Sequence, residues 1–119
     1  MGIAVVMAML AAARWTGSAA QTLDIYFIDV EGGQSTLIVT PAGESLLVDT
    51  GYGADGRDST RILAAARAAG VKQIDYLLMT HFHSDHDGGI VELSRQMSIK
   101  TFFDHGDLVR SAEDRKSVV

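Results

Sequence analysis

The sequence predicts an α/β (α+β) fold whose mixed sheet begins with antiparallel hairpins. Three short strand-like runs come first and are separated by tight glycine turns, which is typical of antiparallel pairing. An amphipathic helical stretch and a continuous apolar run of strand length follow, so the order of elements favours an α/β layer structure. The 119 residues are 47% apolar and 21% charged, which suits one globular domain.

The amino-terminal half of the domain is predicted to be an antiparallel meander. The strands are expected at Thr22–Val30 (TLDIYFIDV), Ser35–Thr40 and Ser45–Asp49, where β-branched and apolar residues dominate. The turns Glu31-Gly32-Gly33 and Pro41-Ala42-Gly43 separate them. A loop with three glycines in seven residues, 50–56, then ends the meander.

The carboxyl-terminal half alternates helices with strands. A helix is expected from Asp58 or Ser59, either of which can act as N-cap, to about Ala69, and Gly70 suits position C′. Three arginines lie outside the apolar stripe of this helix: Arg57, Arg61 and Arg67. They are interpreted as a solvated face, and the alternative is a face that contacts phosphate. Four further segments are expected: a strand buried on both faces at Asp75–Met79, a polar loop at Thr80–Asp87, a helix at Gly88–Met97 with Asp87 as its cap, and a short strand at Thr101–Phe103.

The first twenty residues differ from the rest and predict a signal peptide. Met1 to Ala13 is almost wholly apolar, and Ser18-Ala19-Ala20 suits cleavage after Ala20, which leaves a domain at 21–119. An exported protein, periplasmic or extracellular, is therefore expected. The apolar run is too short for a transmembrane helix. The first basic residue, Arg14, follows the apolar run, so three alternatives stay open: a misplaced start, an uncleaved anchor, and a cytoplasmic protein whose leader is not functional.

Charge and cysteine content restrict the partners and the ligands. The net charge is −5, and an acidic surface argues against a nucleic-acid partner, because phosphate binding needs a basic footprint. The chain has no cysteine, which excludes disulfides and thiolate metal sites. A metal would have to be held by His, Asp or Glu.

The loop THFHSDHDGG, residues 80–89, concentrates the groups that can carry chemistry. Three of the four histidines of the chain lie in it, within six positions. His81 and His83 are two residues apart, so in an extended segment both imidazoles can reach one cation. Asp85 and His86 are adjacent and can face a neighbouring position. Imidazole and carboxylate are zinc ligands, so the spacing favours a pair of metals. The bland alternative is a polar surface turn without metal.

These residues carry a resemblance to a known family. His81-Phe82-His83-Ser84-Asp85-His86 matches the H-x-H-x-D-H signature of the metallo-β-lactamase superfamily. Leu46–Gly51 (LLVDTG) resembles the strand and D-x-G segment that precede this signature. Phe27–Val39 (FIDVEGGQSTLIV) looks like the opening hairpin of the branch that includes the soluble domain of the DNA-uptake competence protein. The resemblance covers residues 24 to about 106.

The resemblance implies a zinc-dependent hydrolase with two Zn²⁺ per complete domain. His81 and His83 would bind the first zinc, and Asp85 and His86 the second. Asp49 would lie beneath the metals and support the histidine loop, although an Asp before Thr-Gly can also be a simple turn former. Water acidified by the metals would attack an ester, amide or phosphodiester bond of a small-molecule or phosphodiester substrate, with Asp85 as the catalytic residue that orients it.

The resemblance also implies that this chain is an amino-terminal fragment, the first half of an αββα sandwich. The family's further ligands, a third histidine, a bridging aspartate and another histidine, come from loops well beyond the signature. His105 is interpreted as a structural or rim residue rather than a ligand. A half sandwich would leave an apolar sheet face exposed. The alternatives are a truncated, non-catalytic metal-binding remnant and an interaction module without metals.

Overall fold

A computed structural model describes residues 22–106 of the chain. The predicted leader at 1–20 and the tail at 107–119 lie outside the described residues. The described part forms a five-stranded sheet in the order β1-β2-β3-β4-β5 with three α-helices and one turn of 3-10 helix at Ala54–Gly56. The elements are β1 (Asp24–Phe27), β2 (Thr36–Val39), β3 (Ser45–Val48), α1 (Arg57–Ala68), β4 (Ile74–Leu78), α2 (Ser84–Asp87), α3 (Ile90–Gln96) and β5 (Ile99–Phe103).

The amino-terminal half is the antiparallel meander that the glycine turns predicted. Leu37 lies opposite Tyr26 in β1 and opposite Leu47 in β3, so this register places all three on one face of the sheet. The first strand is shorter than the predicted Thr22–Val30. It ends at Phe27 because the next carbonyls leave the ladder and accept hydrogen bonds from α1: Arg61 binds the Asp29 oxygen, and Arg57 binds the Val30 oxygen.

The carboxyl-terminal half is parallel, so the sheet is mixed as predicted. β4 pairs with β3 after the crossover through α1, and β5 pairs with β4 after the crossover through α2 and α3. Both longer helices pack on the same face of the sheet, where Ile62 and Ala66 of α1 and Leu93 of α3 are fully buried. Together with Leu37, Leu47 and Leu77 of the central strands they form one core.

The other face of the sheet has no helix packed on it in the described part of the chain. Tyr76 is 37% exposed, so the prediction that the fourth strand is buried on both faces is wrong. The uncovered apolar face expected of a half sandwich is present, and four of its side chains are exposed: Ile25, Phe27, Tyr76 and Phe103. The register places them on one face. Ile25 and Tyr76 lie in one cross-strand row, which runs through Ile38 and Leu46. Phe27 and Phe103 lie in the row two residues further along, which runs through Thr36, Val48 and Leu78.

The helix ends differ from the predicted ones. α1 begins at Arg57 after Gly56, and no side chain caps it, because the Asp58 carboxylate is buried and binds elsewhere. Gly70 takes the left-handed conformation expected after the helix, with φ +72°. α3 begins at Ile90 after Gly89, so Asp87 is not its cap and belongs instead to the one-turn helix α2, inside the predicted polar loop. Within residues 22–106, no helix has the length and apolarity needed to cross a bilayer.

Candidate metal centre

The histidine loop lies at the carboxyl ends of the parallel strands, where α/β sheets build sites. β3 is followed by the loop 49–53 and β4 by the loop 80–83, and strand pairing brings the two loops side by side. The ladder continues beyond the strands, since Asp49 N–H donates to the Leu78 oxygen at 2.9 Å and Met79 N–H to the Phe103 oxygen at 2.8 Å. The candidate site therefore rests on the rigid centre of the sheet.

Asp49 is the buried centre of this arrangement. It is fully buried and has a φ of +58°, a left-handed conformation that Asp adopts more readily than most residues. This conformation turns the carboxylate under the histidine loop. Oδ1 accepts the Thr80 N–H at 2.8 Å, and Oδ2 accepts the Thr80 hydroxyl at 2.7 Å. Both oxygens thus face the histidine loop, which is not the geometry of the simple turn former.

The same carboxylate orients His86. His86 Nδ1 lies 2.7 Å from Asp49 Oδ2. A carboxylate only accepts hydrogen bonds, so Nδ1 carries a proton, and in the neutral imidazole Nε2 then keeps its lone pair. That Nε2 lies 3.6 Å from Asp85 Oδ2. A carboxylate that holds one imidazole nitrogen while the other faces a ligand group is the usual support of a metal-binding histidine.

Thr80 gives His81 a similar orientation. Its hydroxyl hydrogen goes to Asp49, so its oxygen is left to accept from His81 Nδ1, 3.1 Å away. This leaves Nε2 of His81 available as a ligand. The ring of His81 lies 3.8 Å from that of His86, centroid to centroid, and 4.8 Å from that of His83. One threonine hydroxyl therefore links the buried carboxylate to a second imidazole of the loop.

Three of the predicted ligands come together as one group. His81, Asp85 and His86 each offer a ligand atom, and these atoms lie within 4.8 Å of one another. His83 lies beside this group, with its ring in edge contact with His81 and its carbonyl oxygen accepting the His86 N–H at 2.8 Å. The donor set is two imidazoles and a carboxylate, which suits zinc.

Backbone contacts hold the Asp85–His86 segment from two sides. The Asp85 oxygen accepts the Gln34 N–H at 3.0 Å, and the His86 oxygen accepts the Thr50 N–H at 2.6 Å. Glycines make these approaches possible, because a Cβ at Gly33 would overlap the Asp85 oxygen and a Cβ at Gly89 would overlap the Thr50 oxygen. Three residues of the site were not predicted from the sequence, because no local pattern distinguishes them from ordinary loop residues: Gln34, Thr50 and Thr80.

Two further polar residues border the group. Burial raises the pKa of the Asp87 carboxyl, while the neighbouring histidines oppose that shift. His105 is exposed, and its ring lies 5.0 Å from that of Phe82. It is not among the three clustered ligand residues, and its interpretation as a rim residue stays a prediction.

Comparison with known proteins agrees with the fold. The profile described as the metallo-beta-lactamase superfamily matches residues 28–117. Competence protein ComA of Neisseria gonorrhoeae is 44% identical over 61 residues, which are 51% of this chain and 8% of that protein. Ribonuclease Z of Mycolicibacterium gilvum is 46% identical over 68 residues, which are 56% of this chain and 21% of that protein.

A solved structure gives the same answer for the fold. MEM-A1, a subclass B3 metallo-β-lactamase from a soil metagenome library, superposes with a TM-score of 0.54 at 28% identity, over 69% of this chain and 30% of that chain. The mixed sheet with a histidine loop at its carboxyl edge is thus the architecture of a class of metal-dependent hydrolases. The chain belongs to the metallo-β-lactamase superfamily. It matches less than a third of the length of each of these three relatives.

Proposed function

We propose that this chain carries the metal-binding part of a zinc-dependent hydrolase. His81 and His83 would hold the first zinc, and Asp85 and His86 the second. The observation that carries the proposal is the 2.7 Å contact between buried Asp49 and His86 Nδ1, which prepares His86 Nε2 as a ligand. The grouping of His81, Asp85 and His86 supports metal binding by this loop.

The residues of the chain have separate tasks in this proposal. Zinc supplies Lewis acidity, which acidifies water and polarises a carbonyl or phosphoryl oxygen. Asp49 holds the tautomer and orientation of His86, and Thr80 does the same for His81. Asp85 has a partly exposed carboxylate, so it can orient a water molecule and accept a proton from it.

The substrate class is proposed as a phosphodiester, ahead of lactams, lactones and thioesters. The opening hairpin, which resembles that of the competence protein, and the similarity to a ribonuclease favour a phosphodiester, whereas the similarity to atrochrysone carboxyl ACP thioesterases favours a thioester as the second choice. We also propose that the protein is exported, because of the apolar leader. A non-catalytic metal-binding protein is the alternative from another class.

The proposal is tested by the zinc content of the purified chain after dialysis. We expect zinc to bind to the wild type, and the double variant His81→Ala/His83→Ala to lose zinc uptake. The matched control is His105→Ala, which removes an exposed histidine at the rim and should keep the wild-type content. Elemental analysis of zinc per chain gives the measurement.

Activity separates the two classes of function. Hydrolysis of a generic phosphodiester and of a cephalosporin should be assayed on the zinc-loaded chain. Turnover of the phosphodiester supports the hydrolase, and zinc binding without any turnover supports the non-catalytic alternative. Stoichiometric zinc retained by the double histidine variant would show that the ligand assignment is wrong.

A further inference from the structure

The loop between β1 and β2, residues 29–34, is bound on one side by arginines of α1. The Glu31 carboxylate lies between Arg57 and Arg61. Its Oε2 is 2.8 Å from Nη1 of Arg57, and its Oε1 is 2.7 Å from Nη2 of Arg61. Arg61 also donates to the Asp29 oxygen at 2.7 Å, and Arg57 to the Val30 oxygen at 3.3 Å. Arg57 and Arg61, on the face predicted to be solvated, therefore have partners in this loop, while their side chains stay 34% and 35% exposed.

Arg57 links this loop to a second one. Its Nε lies 2.6 Å from Oδ1 of Asp58, a fully buried carboxylate. The other oxygen of Asp58 accepts the Tyr52 N–H at 2.8 Å, in the loop that follows Asp49. One guanidinium thus uses its three nitrogens on three partners: Glu31, the Val30 carbonyl and Asp58.

Both of these loops donate backbone hydrogen bonds to the proposed ligand residues of the second zinc. The first loop reaches the Asp85 oxygen through the Gln34 N–H, and the second reaches the His86 oxygen through the Thr50 N–H. The loops also bind each other, since the Gly51 N–H donates to the Gln34 oxygen at 2.9 Å.

The backbone of the first loop is strained where the ion pair forms. Glu31 has a φ of +53°, a left-handed conformation that favours glycine, and Gly32 follows with a φ of +101°. A glycine at position 31 would relieve the strain. The carboxylate therefore stands at a position where backbone preference alone would favour glycine.

We infer that Arg57 and Glu31 are positioning residues for the metal held by Asp85 and His86. They fix the two loops that bind the carbonyl oxygens of these ligands, and they bind neither metal nor substrate. The inference rests on the proposed function, because the affected site is the proposed second zinc. It assigns a role to the arginine face of α1, which the family signature does not include.

The test compares Glu31→Gly, Glu31→Gln and the control Glu44→Gln. Glu31→Gly removes the ion pair while it relieves the backbone, so it should fold at least as stably as the wild type. Glu31→Gln keeps the size of the side chain and loses its charge. Glu44 is an exposed glutamate in the turn between β2 and β3, so its replacement changes the net charge by the same amount without touching the two loops.

Two readouts are used on the folded chain. Zinc titration with a competing chelator should show the second zinc weakened about tenfold or more in both Glu31 variants, with the first unchanged. Amide hydrogen exchange without metal should show faster exchange of the Gln34 and Thr50 N–H groups. The control should match the wild type in both measurements. A tenfold loss of zinc affinity in variants that fold as stably as the wild type, and that the charge control does not reproduce, separates positioning from a purely structural role.

The outcomes distinguish this inference from the proposed function. If the wild type binds two zincs and the Glu31 variants bind the second one equally well, the positioning role is overturned and the metal site stands. If the wild type binds no zinc, the proposed function fails. The positioning role is then decided by amide exchange alone, and unchanged protection of Gln34 and Thr50 overturns it as well.

Discussion

Asp49 shows how one residue can determine the geometry of a site. Its left-handed backbone is unfavourable for a residue with a Cβ, by about 1–2 kcal/mol. The conformation is held by surrounding bonds, because the Asp49 oxygen accepts the Ser35 hydroxyl and its N–H donates to Leu78. This conformation allows the carboxylate to accept hydrogen bonds from both Thr80 and His86. Strain at this position is compatible with a functional role.

We expect Asp49→Asn to weaken zinc binding by about 10–100-fold while the chain stays folded. Asn tolerates the left-handed backbone as well as Asp does. Its amide would however present N–H groups to His86 Nδ1, which favours the tautomer with the proton on Nε2 and so blocks the ligand atom. Zinc titration checks the affinity, and nitrogen chemical shifts of His86 check the tautomer.

The matched control is Thr80→Ser, which keeps the hydroxyl that binds Asp49. Its zinc affinity should stay close to that of the wild type. An Asp49→Asn variant with wild-type affinity would contradict the support role of the carboxylate.

At the scale of elements, the opposite end of the sheet is held by a polar cluster across three strands. Asp75 of β4 accepts the Ser45 N–H and hydroxyl from β3, at 2.9 and 3.0 Å. Lys100 of β5 donates to the same carboxylate at 2.7 Å. These bonds fix the amino ends of the parallel strands, and the hydrogen bond from Lys100 is the main cause of the lowered pKa of Asp75.

This cluster predicts a pH dependence of stability. A carboxyl whose pKa is lowered by folding stabilises the fold above its unfolded pKa, and the contribution is lost as the pH falls through the folded value. We expect Lys100→Met to make unfolding in acid begin at a higher pH, within the region of about pH 4 and below. Urea unfolding between neutral and acid pH measures the effect.

Lys72→Met is the control for this prediction, because Lys72 is exposed and carries the same charge. Its curve of stability against pH should follow the wild type in the acid region. The pKa of Lys100 is raised by its bond to Asp75, so its own contribution is full below the unfolded lysine pKa and is lost only in strong alkali. An acid transition unmoved in Lys100→Met would exclude the role of the pair.

At the scale of the whole molecule, the described domain is one-sided. Helices cover one face of the sheet, and the other presents apolar side chains, among which Phe27 is 85% exposed and Ile25 is 49% exposed. Contiguous apolar surface of this kind is uncommon on monomeric soluble proteins. The resemblance implies a second layer over this face, and the chain matches about 30% of the length of the lactamase of known structure.

We expect the isolated chain to self-associate and to bind a hydrophobic dye through this face. The double variant Ile25→Thr/Phe27→Ser should lower both the dye fluorescence and the concentration-dependent association, because it removes exposed apolar area at little cost to the core. Val91→Ser is the control, since Val91 is 58% exposed but lies on α3, away from this face. Equal dye binding by the double variant and the control would show that the face is not responsible.

Much of the fold followed from local pattern. The alternation of strands and glycine turns predicted the meander, and the apolar stripe predicted the buried side of α1, where Ile62, Leu63 and Ala66 are buried. The ends of elements were less predictable, because they depend on distant partners. β1 stops where two arginines of α1 take its carbonyl oxygens, and α1 lacks its predicted cap because Asp58 binds Tyr52.

The sequence by itself determined the order of the elements, the family and the residue types of the candidate site, because strand period, turn chemistry and ligand spacing are local properties. The tertiary structure decided which groups orient the histidines and which arginines have partners. Asp49 precedes His86 by 37 residues and Glu31 precedes Arg57 by 26 residues, so these contacts depend on the pairing of strands and the crossover of α1. No local pattern contains such contacts, since they form only when the sheet brings separate loops to one edge.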